Sequence, residues 1–401
     1  MTNDEESPTA QTAKRRSDCH RHFDFGIPSS LGLRHSSLQS NFVATNVLLA
    51  ELLKKLNAAD RVAIDIEADS LHSYREKLCL LQIGAPGAAN PEGFGGSCND
   101  FIVDPLAGLD LEPLRRALEP REIVLHGADY DLRMLRRGLN FTAHKIFDTQ
   151  IAARLIGIRE FSLAALLKRY FRLELPKGSQ KANWAKRPLS ARMAEYAIND
   201  VRYLLPLAEK LETELDRLQR RDWLRQSCER AIEQVAVARV RNEDELWRIR
   251  GAGSIHGRPA AVLRALWQWR EREAEMADRP PFHILQNEKL VNAAVSFATG
   301  SVPDYKHFSN RRRRTFHEAA RSALETPESE WPVLARRLGT RRSGDTVRRT
   351  EELRRRRDKS AEQLGLEPSF IAARGTLEAI AADRARAEKL LIPWQRELLG
   401  V

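Results

Sequence analysis

The chain has 401 residues, of which 42% are hydrophobic and 30% charged, and 66 Lys and Arg residues outnumber 55 Asp and Glu residues. This length is enough for two or three domains with cores of their own. The sequence has no run of 18 apolar residues and no apolar N-terminal segment, which argues against a membrane span and a secretory signal. The net charge of +11 favours a polyanionic partner, most often nucleic acid.

The predicted elements divide the chain into a leader, an α/β part and an all-α part. Residues 1–40 are polar and predict a disordered leader. From residue 41 to 218, short β-branched or apolar runs alternate with helical patterns, which predicts an α/β domain with helices covering a mixed sheet. The runs with strand character are Val62–Ile66, Leu78–Ile83, Phe101–Val103 and Ile123–Leu125. Beyond residue 220 the strand signals stop, and helical patterns predict two small all-α units.

The cysteines and the absence of a phosphate loop exclude further classes. Cys19, Cys79, Cys98 and Cys228 are scattered without a Cys-x-x-Cys pair. This spacing argues against a disulfide framework or a four-cysteine zinc site, and we expect a cytoplasmic location. No G-x-x-x-x-G-K-[ST] segment occurs, so a nucleotide-driven motor is not expected.

Two acidic residues lie in a segment that otherwise has the pattern of a buried strand, Arg61-Val-Ala-Ile-Asp65-Ile-Glu67. Residues two apart in a strand point to one face, so Asp65 and Glu67 project side by side. Their carboxylates repel each other, and a divalent cation would relieve that repulsion. Because Asp-x-Glu alone is a weak signal, two solvated charges at a sheet edge remain the alternative.

A second acidic segment follows the strand that ends near His126. Asp131 shares a helical stripe with Met134 and Leu135, so it leans toward the apolar side of the helix. Asp129 lies where the helix starts, and we expect it to cap the helix N-terminus. His126 is either a ligand or a core histidine.

The third segment is a helix in which Tyr196 and Asp200 lie on one stripe, together with Met193, Ala197 and Leu204. Asp200 therefore occupies a core position, unless it is a capped aspartate beside a core tyrosine. Taken together, four acids point from a sheet and two helices toward one region. Such an arrangement is what a two-cation phosphodiester site requires.

These segments resemble the three motifs of the DEDD superfamily of 3′→5′ exonucleases. The motifs are Asp65-Ile-Glu67, then Asp131 within His-Gly-Ala-Asp-Tyr-Asp-Leu, then Tyr196-x-x-x-Asp200, and the tyrosine is typical of one subgroup. Three further segments are similar to ribonuclease D: Cys79-Leu-Leu-Gln-Ile83, Phe147-Asp-Thr-Gln150 and Asn183-Trp-Ala-Lys-Arg-Pro-Leu189. Asn183 departs from the Asp that is more usual in that family. The resemblance implies a ribonuclease H-like exonuclease domain over residues 41–218.

The resemblance continues into the helical half. Leu263-Arg-Ala-Leu-Trp267-Gln-Trp269-Arg270, followed by Arg279-Pro-Pro-Phe-His-Ile-Leu285, is similar to the helicase-and-RNase-D C-terminal (HRDC) domain. We expect that domain over residues 240–325. The segment from Leu364 to Leu399 looks like a second, diverged copy, which we expect over residues 326–401.

The resemblance also implies a mechanism and a substrate. Asp65, Glu67, Asp131 and Asp200 would hold two divalent cations, Mg²⁺ or Mn²⁺, and Tyr196 would orient the attacking water. The residues expected to bind substrate are His126, Gln82, Trp184 and Arg187. A monomer would remove nucleoside 5′-monophosphates from single-stranded 3′ ends of RNA such as tRNA precursors. The alternatives are a 3′→5′ DNA exonuclease and a non-catalytic RNA-binding protein.

Most of the net charge lies in one stretch. Residues 311–359 contain 16 basic residues against 8 acidic ones, which is +8 of the total +11. The stretch is either a surface that follows a phosphate backbone or a set of solvated helix faces.

Overall fold

The computed structural model describes residues 41–89, 96–176, 178–236, 245–332 and 343–401. The leader predicted over residues 1–40 lies outside these ranges, as do Cys19 and four arginines of the basic stretch, Arg336, Arg337, Arg341 and Arg342. Within the described ranges, none of the helices has the length and apolar character needed to cross a membrane.

Six strands form one mixed sheet in the order β1-β4-β3-β2-β5-β6. The strands are β1 (Phe42–Val43), β2 (Arg61–Ala68), β3 (Leu78–Ala89), β4 (Gly96–Val103), β5 (Glu122–Leu125) and β6 (Lys145–Asp148). β3 pairs antiparallel with β2 and β4, whereas the β1–β4, β2–β5 and β5–β6 pairs are parallel. The predicted mixed sheet is confirmed, and its central strand β2 carries the first acidic motif.

Helices flank this sheet, as predicted. They are α1 (Asn46–Asn57), α2 (Glu112–Leu118), α3 (Asp129–Leu139), α4 (Thr149–Ile156), α5 (Leu163–Phe171), α6 (Ala191–Arg202), α7 (Leu204–Arg217) and α8 (Arg221–Ala236). Thr45, Ser162 and Ser190 begin α1, α5 and α6 by accepting a backbone N–H, which satisfies a donor that has no partner within the helix.

The described residues after α8 are helical, which confirms the all-α second half. The helices are α9 (Arg258–Met276), α10 (Pro281–Ile284), α11 (Asn287–Ala298), α12 (Asn310–Leu324), α13 (Gly344–Leu364), α14 (Pro368–Ile371), α15 (Arg374–Ala382), α16 (Arg386–Leu390) and α17 (Pro393–Leu399). Helices α9, α11 and α12 form a core of their own, in which Trp269 lies 5.5 Å from Phe308 and 4.9 Å from Phe316, centroid to centroid.

Helices α13–α17 instead share the core of the sheet domain. The Trp394 ring stacks on Trp223 of α8 with a centroid separation of 5.0 Å, and its indole nitrogen donates to Ser227 Oγ at 3.2 Å. The buried Arg220 donates to the carbonyl oxygens of Leu155 and Leu364, at 2.6 and 2.8 Å, and so joins the ends of α4 and α13. The hydrophobic core therefore continues past the expected domain boundary at residue 218. A second HRDC-like fold for residues 326–401 stays a prediction.

The loop between β2 and β3 joins the sheet domain to α9. The Tyr74 N–H donates to Asp278 Oδ1 at 3.1 Å, and Arg75 forms a 2.8 Å ion pair with Glu275. On its other side, Glu76 accepts from the Tyr130 hydroxyl of α3 at 3.0 Å. This loop thus contacts two elements at the end of β2 where the acidic motif lies.

Many arginines of the basic stretch have acidic partners. Arg311 and Arg312 both pair with the buried Glu273, at 2.6 and 3.1 Å. Others pair one turn away along their own helix: Arg314 with Glu318, Arg348 with Asp345, Arg354 with Glu351 and Arg356 with Glu352. Because these pairs neutralise much of the charge locally, a phosphate-binding role for the stretch stays a prediction.

We expect Trp394→Ala to destabilise the exonuclease-motif domain rather than the C-terminal helices alone. Removing a buried Trp side chain costs about 3–5 kcal/mol, and here the lost contacts include Trp223 of α8. Hydrogen exchange of the amides in β2 and β5 should accelerate in this variant. The control is Trp269→Ala, which removes an equally buried Trp from the separate α9–α12 core. Equal protection of β2 in the two variants would contradict the shared core.

Candidate active site

Strand β2 presents two acids on the face that α6 covers. Asp65 pairs across the sheet with Gln82 of β3, and Ala63 pairs with Gly84. A Cβ atom on Gly84 would lie 3.3 Å from Ala63 Cβ and 3.4 Å from the carbonyl oxygen of Val201 in α6. The small Ala63–Gly84 pair therefore lets α6 lie close to the sheet, directly beside the two acids.

Helix α6 brings the third motif to these acids. Asp200 lies on the helix one turn after Tyr196, and carboxylate oxygens of Asp65, Glu67 and Asp200 all lie within 4.8 Å of one another. Oxygen ligands at this spacing suit a hard divalent cation such as Mg²⁺ or Mn²⁺. The predicted convergence of β2 and α6 is therefore present.

Asp131 adds the fourth charge from the first turn of α3. Its side chain is buried, and its charge raises the pKa values of both Asp65 and Glu67. Among the described residues it is not one of the acids that meet within 4.8 Å. Asp131 thus belongs to the same electrostatic cluster through its charge.

The turn that presents Asp131 is held by a distant residue. Asp148, at the end of β6, accepts the backbone N–H groups of Gly127 and Ala128 at 3.0 and 2.8 Å, and those of Gln150 and Ile151 at 2.8 and 3.2 Å. One carboxylate therefore caps both α3 and α4. The capping role expected for Asp129 is wrong, because Asp129 points to solvent and pairs with Arg133.

All four acids have raised pKa values. Burial is the largest cause for each of them, and it raises the pKa of Glu67 to about 9, with further contributions from the charges of Asp200 and Asp131. The pKa of Asp65 is raised well above its usual range by burial and by the other three acids. Burying like charges together without a compensating cation is costly. The donor set therefore fits divalent cations, which would offset this repulsion.

Tyr196 contacts the cluster through its hydroxyl group. The hydroxyl donates to Asp200, which lowers the pKa of that acid, and it accepts from the Gln180 side chain. Burial and the charge of Asp200 raise the pKa of Tyr196, so the phenol stays protonated at neutral pH. Tyr196 can thus orient a neighbouring group by hydrogen bonding, and it is not a general base.

His126 has one tautomer that fits its neighbours. Thr149 donates its hydroxyl hydrogen to the Leu125 carbonyl at 2.9 Å, so its oxygen accepts from His126 Nδ1, also at 2.9 Å. Burial lowers the pKa of His126, which keeps the ring neutral. This network assigns the hydrogen to Nδ1 and leaves Nε2 as an acceptor.

Gln82 is fully buried opposite Asp65, and neither its amide nitrogen nor its amide oxygen has a hydrogen-bond partner among the described residues. Buried amides are nearly always satisfied, so one without partners beside an acidic cluster is typical of a binding site. Its predicted contact with substrate stays a prediction.

Trp184 and Arg187 make extensive contacts within the protein, and their predicted contact with substrate stays a prediction. Trp184 is 1% exposed and packs against Tyr196, with ring centroids 6.0 Å apart. Arg187 donates to both carboxylate oxygens of Asp104, at 2.7 and 2.6 Å, and to the carbonyl oxygens of Cys79 and Trp184 at 2.9 and 2.7 Å. Since these contacts occupy its guanidinium group, Arg187 anchors the chain to the sheet.

Two residues of the site were missed at the level of sequence. Asp148 precedes Thr149 at the end of a strand, and an Asp in front of a helix is a recognisable cap signal. Its second set of contacts, to Gly127 and Ala128, depends on parallel pairing of β5 and β6. Gln180 lies in an irregular segment, and its contact with Tyr196 has no sequence signal.

Two segments of the chain match known protein families. Residues 41–216 match the family model described as 3′-5′ exonuclease, and residues 260–299 match the HRDC domain. Ribonuclease D of Sphingobium indicum is 34% identical over 254 residues, which are 61% of this chain and 61% of that protein. The match thus spans less than two thirds of that relative. Ribonuclease D of Haemophilus influenzae is 26% identical over 372 residues, covering 89% of this chain and 90% of the relative.

A solved structure supports the fold. Escherichia coli RNase D, described as an exoribonuclease involved in structured RNA processing, superposes with a TM-score of 0.64 at 22% identity. The superposition covers 90% of this chain and 96% of that one. The order of an α/β exonuclease fold followed by helical units is therefore the same in both.

We expect the metal-free protein to lose stability as the pH rises from about 5 to 9. Acids with raised pKa values bind more protons in the folded than in the unfolded chain, so their contribution weakens as pH rises through the raised values. Asp65→Asn should therefore raise the Tm in EDTA at pH 8, and the gain should shrink at pH 5. Thermal unfolding at both pH values tests this, with Asp129→Asn as an exposed control. A lower Tm for Asp65→Asn at pH 8 would contradict the repulsion.

Proposed function

We propose that the chain is a 3′-5′ exonuclease of the ribonuclease D type and that it removes nucleotides from the 3′ ends of RNA. The matches to the 3′-5′ exonuclease and HRDC family models and to ribonuclease D relatives support this proposal. The observation that carries the proposal is the meeting of Asp65, Glu67 and Asp200 within 4.8 Å, with the charge of the buried Asp131 acting on Asp65 and Glu67. Carboxylates that repel one another when no ligand is bound are expected in a protein whose active form contains bound cations.

We propose two divalent cations, Mg²⁺ or Mn²⁺, as the cofactors. Four carboxylates offer enough anionic oxygens for two such ions, and Asp65, Glu67, Asp131 and Asp200 would hold them. When bound, the cations would supply the positive charge that activates water and stabilises the leaving oxygen.

The remaining work is positional. A hydroxyl oxygen has two acceptor positions, and Gln180 uses one of those on Tyr196, so the other can accept from the attacking water. The neutral His126, with Nε2 as an acceptor, can receive a hydrogen bond from a sugar hydroxyl of the 3′-terminal nucleotide of the RNA. These residues would fix the water and the terminal nucleotide relative to the acids.

The proposed substrate is a single-stranded 3′ end of RNA, as in tRNA precursors, and the proposed products are nucleoside 5′-monophosphates. The acids and Tyr196 act on the phosphate and the water, so they do not distinguish RNA from DNA. Digestion of matched RNA and DNA strands at one salt concentration separates the two substrates. The HRDC domain at residues 260–299 favours nucleic acid as the partner.

A 5′-labelled single-stranded RNA, incubated with Mg²⁺, Mn²⁺ or EDTA, tests the proposed reaction. We expect a ladder that shortens from the 3′ end with either metal and no cleavage in EDTA. A circular RNA of the same composition should resist, since it has no 3′ end. Cleavage of the circle, or equal activity in EDTA, would contradict a metal-dependent exonuclease.

Asp200→Asn should abolish turnover while the fold survives. The change keeps the side-chain volume and removes one anionic ligand, so cation affinity should fall together with kcat. The measurement is RNA cleavage with metal titration, and Asp129→Asn is the matched control because Asp129 is an exposed acid outside the cluster. If Asp200→Asn cleaved RNA at the wild-type rate, the assignment of Asp200 as a metal ligand would be wrong.

Tyr196→Phe isolates the hydroxyl group. If the hydroxyl orients the attacking water, kcat should fall by about 10²-fold, whereas metal affinity and RNA binding stay near wild type. Single-turnover cleavage with metal titration checks this. The control is Tyr130→Phe, which removes the hydroxyl of an exposed tyrosine bonded to Glu76. Equal rates for wild type and Tyr196→Phe would leave water activation to the acids and their cations alone.

A further inference from the structure

The Tyr196 ring contacts one short segment, residues 178–184, at two points; we call it the clamp segment. A Cβ atom on Gly178 would lie 2.1 Å from Tyr196 Cδ2, 2.9 Å from Cε2 and 3.1 Å from Cγ. Trp184 also packs against the ring, at a centroid distance of 6.0 Å and an interplanar angle of 38°. Tyr196 is thus held by backbone and by a buried ring.

The same segment also contacts the hydroxyl group. Gln180 donates to the Tyr196 oxygen, and the hydroxyl hydrogen goes to Asp200. The clamp segment therefore contacts both parts of the Tyr196 side chain. Gly178 and Trp184 contact the ring, and Gln180, which lies between them in the sequence, contacts the hydroxyl group. Such double support restricts both the translation of the ring and the direction of its hydroxyl bond.

The need for glycine at position 178 is steric. Separations below 3.0 Å are essentially never found for a real Cβ, and the atoms in the way belong to a rigid ring rather than to a flexible chain end. The ring also packs against the fully buried Trp184, so a displacement of the ring would disturb that contact as well. Any side chain at position 178 must therefore move Tyr196 or the clamp segment itself.

The clamp segment is anchored at several points. The carbonyl oxygen of Lys181 lies 3.2 Å from His72 Nε2, which belongs to the loop between β2 and β3. Within the segment, the Ala182 N–H donates to the Ser179 carbonyl at 2.7 Å. At its end, the Trp184 carbonyl accepts from Arg187, which is itself bound to Asp104. These anchors give the segment the rigidity that positioning requires.

We propose that the clamp segment sets the position of Tyr196 for the reaction, with Gly178 and Gln180 as positioning residues. The inference rests on the proposed function, because it assigns these residues a role through the water-orienting hydroxyl. It also gives Trp184 and Arg187 structural roles: Trp184 supports the ring, and Arg187 fixes the end of the segment.

The test is Gly178→Ala in the full chain. Displacing the ring by about 1 Å should lower kcat by about 10²-fold, with KM and the Mg²⁺ titration near wild type. Gly375→Ala is the matched control, since a Cβ there meets nothing within 4 Å, and it should turn over like wild type. Gln180→Leu removes the hydrogen bond to the Tyr196 hydroxyl while keeping a similar side-chain volume. This variant provides the test if Gly178→Ala does not fold.

Double variants separate positioning from a general structural effect. Adding Tyr196→Phe to Gly178→Ala or to Gln180→Leu should cost little beyond the slower single variant, because all act through one hydroxyl. Additive losses would overturn the proposal. So would a slow Gly178→Ala beside a fully active Tyr196→Phe, since the loss would then not pass through the tyrosine.

A readout without activity keeps this test separate from that of the proposed function. In a crystal structure of Gly178→Ala, the Tyr196 ring should be displaced from its wild-type position relative to Asp200. An unchanged position of the Tyr196 ring in this variant would contradict the proposed role of the clamp segment, whatever substrate the enzyme cleaves. Absence of RNA cleavage by wild type would instead count against the proposed function alone.

Discussion

Mutual repulsion among four buried or partly buried carboxylates is the constraint on which this molecule depends. Asp65, Glu67 and Asp200 meet within 4.8 Å, and Asp131 adds a fourth charge from α3. Hydrogen bonds satisfy them only in part, and burial raises the pKa of each. A fold that holds such a cluster must obtain its stability elsewhere, and a bound cation is the natural source of compensation. The same four acids would thus bind the cations and lower the stability of the metal-free fold.

The surrounding structure holds the acids against their repulsion. The small Ala63–Gly84 pair lets α6 approach the sheet. Asp148 ties the start of α3 to the end of β6 through two backbone donors, and it accepts two more from the first turn of α4. Asp148 is itself an acid near the cluster, and its backbone partners are what make its charge tolerable there. Rigid elements therefore determine where each carboxylate lies, and catalytic geometry does not depend on the acids alone.

The two helical units after residue 245 relate differently to the sheet domain. Helices α9, α11 and α12 build a core of their own around Trp269. The loop between β2 and β3 contacts this unit through the exposed Arg75–Glu275 ion pair, the Tyr74–Asp278 hydrogen bond and the partly buried Tyr74 side chain. Helices α13–α17 contribute to the same core as the sheet, with Trp394 stacked on Trp223. Exposed ion pairs contribute little to stability, whereas a shared apolar core contributes much. The C-terminal helices are thus a structural part of the catalytic half, and the HRDC unit is more independent.

The sequence by itself determined the α/β order, the helical second half and the acids of the site, because alternation, helical periodicity and acids at apolar positions are local patterns. It also placed Tyr196 one turn before Asp200, which follows from helix geometry alone. Only the tertiary structure decided which side chains reach solvent and which residues meet across the chain. The structure shows that Trp184 is buried against Tyr196 and that Arg187 is bound to Asp104. The approach of Gly178 to Tyr196 and the sharing of one core by Trp394 and Trp223 were decided in the same way. The physical reason is that these contacts join residues that are far apart in sequence or lie in irregular segments. A periodic sequence pattern predicts which face of a helix or strand is buried, but it does not predict which distant residues a side chain contacts.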